Sequence, residues 1–198
     1  KKKIAVFASG TGSNFKNIYD KICTGYIKAE IGILISNNPK CKSVDFAIEN
    51  GINYKIINGS RFNANEIDRV MLQTLKKNKI DLIVLAGYMK KIPQNVINAF
   101  NKKILNIHPS LLPKFGGKGY YGMKVHEAVI KSKQNVTGVT IHFVDNEYDT
   151  GGIIHQELVQ ISDSDTSKSI SKKVLKVEHK VYPNIIKKII NKLEVKID

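Results

Sequence analysis

Asn106 and His108 stand two residues apart at the end of an apolar run, and Pro109 follows at once. Residues i and i+2 of a strand project from one face, so this spacing aims a carboxamide and an imidazole the same way while Ile107 turns to the other side. Pro109 restricts His108 to extended backbone. An amide donor beside a titratable ring suits stabilisation of an oxyanion with proton transfer nearby. From this stretch alone, a strand-end His satisfied by a loop carbonyl is the alternative.

A carboxylate would complete such a pair, and "HFVDNEYDTGG" (142–152) offers Asp149 just before the turn at Gly151 and Gly152. Placed near His108, it would raise the imidazole pKa and fix the ring. Asp145 and Glu147 read as turn or solvated residues. His126 and His179 fall on helical stretches and His142 inside a strand, which favours structural roles for all three. Neither the five histidines nor Cys23 and Cys41 have metal-ligand spacing, so no metal and no disulfide framework is expected.

Two further stretches carry binding chemistry. In "SGTGSNF" (9–15), Gly10 and Gly12 allow a tight turn and Ser13 or Asn14 is placed to cap a helix, leaving N–H groups for an anion such as phosphate. A purely structural turn is the alternative. A dinucleotide fingerprint fits poorly, because Phe15 replaces the third Gly and "ISNNPK" lacks the acid that would hold a ribose. In "LAGYMKKIP" (85–93), Met89 and Ile92 are suited to line a pocket for a flat ring, or simply to pack in the core.

The elements that must position these groups alternate in type. Short β-rich runs ("KIAVFA", "IGILIS", "YKII", "IDLIVLAG", "KKILNI") are each followed by a segment of helical spacing up to Phe100. This predicts βαβ units and a parallel sheet. A short helix, "MKVHEAVIKS", two strands that flank "DNEYDT" as an antiparallel pair, and a closing helix over 166–192 complete the pattern. The fold class is α/β: an open, mostly parallel twisted sheet with helices on both faces and a mixed, antiparallel C-terminal part. Ligands of such sheets lie outside the carboxyl ends of the strands, where all four stretches fall.

Length favours one domain, 1–198. The 42% hydrophobic and 25% charged content is that of a globular protein. No apolar run approaches the ~18 residues needed to span a bilayer, and "KKKIAVFASG" enters a polar loop too soon for a signal peptide, so a cytoplasmic protein is expected. The +15 charge raises nucleic-acid binding, yet only Arg61 and Arg69 stand among 32 basic residues, and lysines spread over helix faces read as solvation.

Together and in this order, "SGTGSN", "LAGYM", "LNIHPSLLPKF", "TIHFVDNEYDTGG" and "EHKVYP" resemble the phosphoribosylglycinamide formyltransferase family, over essentially the whole chain. The resemblance implies a Rossmann-like formyltransferase fold. It also implies transfer of the formyl group of 10-formyltetrahydrofolate, the co-substrate, to the amine of glycinamide ribonucleotide in purine synthesis. The domain then divides into a phosphate-binding βαβ half (1–100) and a folate-binding and catalytic half (101–198). Residue by residue, Asn106, His108 and Asp149 match the catalytic trio, in which Asn106 and a protonated His108 would stabilise the oxyanion and Asp149 would assist proton transfer. Gly12, Ser13 and Asn14 match the phosphate site. Leu175 and Glu178 match ribonucleotide contacts on the last helix. Met89, Lys90, Lys91 and Ile92, with Asn106 and the backbone of Asp145, Asn146, Glu147, Tyr148 and Asp149, match the folate site. Where family members often carry an Arg beside the Glu of the third helix, this chain has Asn65 before Glu66, with Arg61 nearby. The extra Lys of the pair 90–91 is expected to meet the folate's anionic glutamate tail.

Formyltetrahydrofolate hydrolase and methionyl-tRNA formyltransferase share the Asn-x-His and Asp apparatus. The hydrolase usually has an extra N-terminal domain; the tRNA enzyme has an additional C-terminal domain and lacks the "GTGSN" turn. A lysine-rich RNA-binding module would account for the charge but leaves Asn106, His108 and Asp149 unexplained. Small-molecule partners are therefore expected, with a monomer or homodimer and no membrane.

Overall fold

The computed structural model describes residues 1–195, so the last three residues of the expected 1–198 domain lie outside the described residues. Strands β1 (Lys2–Phe7), β2 (Ala29–Ser36), β3 (Tyr54–Ile56), β4 (Leu82–Leu85) and β5 (Ile104–His108) alternate with helices α1 (Ser13–Cys23), α2 (Lys42–Glu49), α3 (Ala64–Lys77) and α4 (Gln94–Ala99). Then follow α5 (Met123–Lys131), β6 (Val136–Phe143), β7 (Ile153–Gln160) and α6 (Ser167–Val195). One seven-stranded sheet results, in the order β3-β2-β1-β4-β5-β6-β7. β1 to β5 pair in parallel, while β6 runs antiparallel to both β5 and β7.

Strand parity explains the two-sided core. Ile4, Val6, Leu82, Val84, Leu105 and Ile107 face a layer filled by Phe15 and Ile18 of α1, Val44 of α2, Val129 of α5 and Tyr182 and Ile186 of α6. Their alternates, Ala5, Phe7, Ile83, Leu85 and Ile104, face Met71 and Leu75 of α3 and Val96 of α4. A strand buried on both sides reads as an unbroken apolar run, as β4 does.

The chain order reverses at β1, whose neighbours are β2 and β4. There the loops after β1 and β4 are joined: Ser9 N–H donates to the Gly87 carbonyl at 3.1 Å, and Met89 N–H donates to Ser9 Oγ at 2.9 Å. Fully buried Tyr182 shares its hydroxyl proton between the carbonyls of Leu85 (2.8 Å) and Leu105 (3.1 Å), pinning α6 against β4 and β5. Asn63 caps α3 in a reciprocal box with Glu66, which gives the Glu beside Asn65 a structural task.

Candidate active site

β5 carries Asn106 and His108 on the face of Ile104, while Leu105 and Ile107 enter the opposite core layer. Antiparallel pairing then sets His142 directly opposite Asn106 and Thr140 opposite His108. The β6–β7 register slips between Ile141 and His142, a bulge of the kind that re-aims side chains beside active sites. After β6 the chain returns so closely that a Cβ on Gly151 would overlap the Phe143 carbonyl oxygen; only glycine fits there. Two residues earlier Asp149 takes a left-handed φ of 59°, which turns its carboxylate back over the strand ends.

The three groups meet. Asp149 Oδ2 lies 3.6 Å from His108 Nδ1, and Asp149 Oδ1 lies 3.4 Å from Asn106 Nδ2 and 3.5 Å from His142 Nε2. The Gly117 amide donates to Asp149 Oδ2 at 2.9 Å. His108 Nε2 is 2.7 Å from the Phe115 carbonyl, which accepts only, so that nitrogen carries a proton. The loop-carbonyl alternative for His108 and its proximity to the other two groups are thus both realised. Phe115 is held by a buttressed loop: Thr140 Oγ1 donates to the Ser110 carbonyl and accepts from Leu112 N, and Ser110 Oγ donates to the Lys114 carbonyl.

Electrostatics depart from expectation at His108. Asp149 does raise its pKa, but burial lowers it more, and the net shift is downward, so the resting imidazole is neutral near pH 7. Burial alone would push Asp149 up; the neighbouring His142 and His108 rings and the hydrogen bond from the Gly117 amide outweigh that and hold it below the usual carboxylate range.

A cavity of about 280 Å³ opens beside these groups. Met89, Lys90, Lys91, Ile92, Asn106, His108, Asp145, Glu147, Tyr148 and Asp149 line it, joined by Tyr88, Val144 and the 117–122 loop. Asn146 is not in the lining. Nor are Gly12, Ser13, Asn14, Leu175 and Glu178, which lie on the turn after β1, at the start of α1 and on α6. There α1 is capped by Gly12 in a left-handed conformation with no side-chain cap, so neither Ser13 nor Asn14 caps the helix as expected. Both side chains lie inside the first turn, and Asn14 Nδ2 instead donates to buried Glu178 Oε2 at 2.9 Å. Asn14 Oδ1 is buried without a partner among the described residues. Leu175 is half-buried one turn before Glu178.

His142 stands inside β6, as expected. It is buried as a strand residue should be, yet its ring touches Asn106 and Asp149. Its share of β6 parity with Thr140 was legible; the strand it faces depends on register, which was not. Among the described residues no group of three or more His, Cys, Asp or Glu is placed to hold a metal ion.

Residues 2–186 match the family model described as formyl transferase. The chain belongs to the formyl transferase family. It is 43% identical to the chloroplastic phosphoribosylglycinamide formyltransferase of Vigna unguiculata over 94% of its own length, and spans 60% of that relative. To the phosphoribosylglycinamide formyltransferase of Bacillus subtilis it is 36% identical, covering 96% of this chain and 95% of the relative. Among solved structures in the family, the phosphoribosylglycinamide formyltransferase of Bacillus halodurans superposes with a TM-score of 0.89, at 37% identity and 97% coverage of each chain. The sequence-based family, the mixed seven-stranded sheet and the helices on both faces therefore agree.

Proposed function

We propose that this chain transfers the formyl group of 10-formyltetrahydrofolate to the primary amine of glycinamide ribonucleotide in de novo purine synthesis. The observation that carries this reading is the meeting of Asn106, His108 and Asp149 at the buried end of a cavity with a mixed apolar and basic wall. The names of the family relatives support it.

The neutral amine attacks the formyl carbon and the carbonyl oxygen becomes an oxyanion. Asn106 has an N–H engaged only by the long 3.4 Å contact to Asp149, and this N–H turns to the oxyanion. The proton shed by the amine passes through a water to the bare Nδ1 of His108. The imidazolium so formed is stabilised by Asp149, 3.6 Å away. The proton returns to the folate nitrogen as its bond to carbon breaks.

Met89 to Ile92 and the 145–149 backbone receive the folate. Gly12, Ser13 and Asn14 hold the phosphate on the uncapped N-terminus of α1, with Glu178 and Leu175 against the ribose; the unpartnered Asn14 Oδ1 supports a polar ligand there. A cytoplasmic location stays part of the proposal. No helix among the described residues is long and apolar enough to cross a membrane, and two plant relatives are named chloroplastic.

A spectrophotometric assay of folate deformylation with and without glycinamide ribonucleotide tests the reading. Amine-dependent turnover is expected. Amine-independent turnover would make the chain a hydrolase, and silence in both arms would remove the enzymatic reading.

A further inference from the structure

We infer that His142 is a positioning residue for the Asn106 amide: its bare Nε2 anchors one N–H of that amide so that the other is free to meet the developing oxyanion. The inference rests on the formyl-transfer reading above and adds a residue to it.

The geometry fixes the proton on Nδ1. His142 Nδ1 lies 2.8 Å from the Phe143 carbonyl, which can only accept, so Nδ1 carries the ring proton. In the neutral ring Nε2 is then an acceptor. It faces Asn106 Nδ2 at 3.1 Å, and an amide oxygen turned to that side would set two acceptors against each other. It would also set an amide oxygen against Asp149 Oδ1 at 3.4 Å. The Phe143 carbonyl thus determines the tautomer of His142, and the tautomer determines which end of Asn106 points where. The β6 bulge supports the arrangement by shifting the register at this residue, and the ring is 2% exposed, so no bulk water competes for Nε2. Asn106 is left with one firm bond and one weak contact to a carboxylate that His108 and Gly117 also engage. Its second N–H is therefore the one a substrate oxygen can recruit.

The test combines a tautomer measurement with a mutant cycle. In the unaltered protein, ¹⁵N shifts of the His142 ring should report a protonated Nδ1 and a bare Nε2 near pH 7. The opposite tautomer would overturn the inference without any variant. His142→Phe keeps the ring bulk and removes both nitrogens; kcat should fall at least ~30-fold with KM for the folate within about threefold, since the lost function is an oriented oxyanion donor. Combined with Asn106→Ala it should cost little beyond Asn106→Ala alone, because both changes remove one function. His142→Gln, which returns an acceptor at the distance of Nε2, should recover most of the rate. Turnover of His142→Phe within about twofold of the parent, or effects that multiply in the double variant, would make His142 a packing residue and leave the formyl-transfer reading intact. Absence of turnover in the parent would instead remove that reading.

Discussion

Asn14 Nδ2 donates to Glu178 Oε2 at 2.9 Å, a buried hydrogen bond that ties the turn after the first strand to the last helix across 164 residues. Burial pushes the Glu178 carboxyl up to about 7 from an ordinary 4.5, against the opposing pull of Asn14.

That shift makes stability depend on pH with a definite sign. Between pH 4.5 and about 7 the folded state holds a proton that the unfolded chain has lost, so unfolding free energy falls as pH rises through this window and levels off above it. The full effect is ~3 kcal/mol. Urea unfolding at pH 5 and pH 8 should give a larger difference for the parent than for Glu178→Gln, whose amide does not titrate. Equal differences would mean the carboxyl is solvated.

Asn106→Ala and Asp149→Asn should each cut formyl transfer at least ~100-fold, the cost of one transition-state donor or its support. Circular dichroism should be unchanged, since among the described residues Asn106 bonds only to His142 and Asp149 through its side chain. Turnover within tenfold of the parent for either variant would remove its assigned role.

His108, held below its ordinary pKa by burial, is neutral in the free protein at pH 7. The acid limb of kcat/KM, which reports the free enzyme, should therefore fall below pH 6.5. Asp149 raises the ring's pKa, so NMR titration of Asp149→Asn should move it further down. An upward move would mean that the carboxylate does not sense the imidazole.

Lys91 Nζ sits 3.8 Å from Glu147 Oε1, and both side chains are more than half exposed. Exposed pairs of this kind are worth ~0–1 kcal/mol, so Lys91 stays available for another anion. Lys91→Ala should raise KM for polyglutamylated folate up to about fivefold at low salt and by less at high salt. No change at low salt would remove the glutamate-tail contact.

Gly151→Ala should destabilise the fold by about 1–3 kcal/mol, because the added methyl meets the Phe143 backbone rather than a side chain able to move. Activity should fall by more than the loss of folded protein, since the same loop carries Asp149. Thermal melts read beside kcat separate the two effects.

Periodicity in the chain was enough to place the strands, the helices on both faces and the antiparallel pair, because each follows from local alternation of apolar residues. The i, i+2 spacing likewise determined that Asn106 and His108 share a face, and the glycines before Asn14 that the backbone turns there. Three features required the tertiary structure. The register of β6 against β5 brought His142 onto Asn106, and a slip of one residue would have sent it to the opposite face. Burial reversed the shift expected at His108, since desolvation depends on what covers the ring and not on its sequence neighbours. The N-terminus of α1 is left without a side-chain cap because the last helix, far away in sequence, takes the Asn14 amide for Glu178. Local pattern sets element type and facing; pairing partners and the local dielectric are properties of the assembled core.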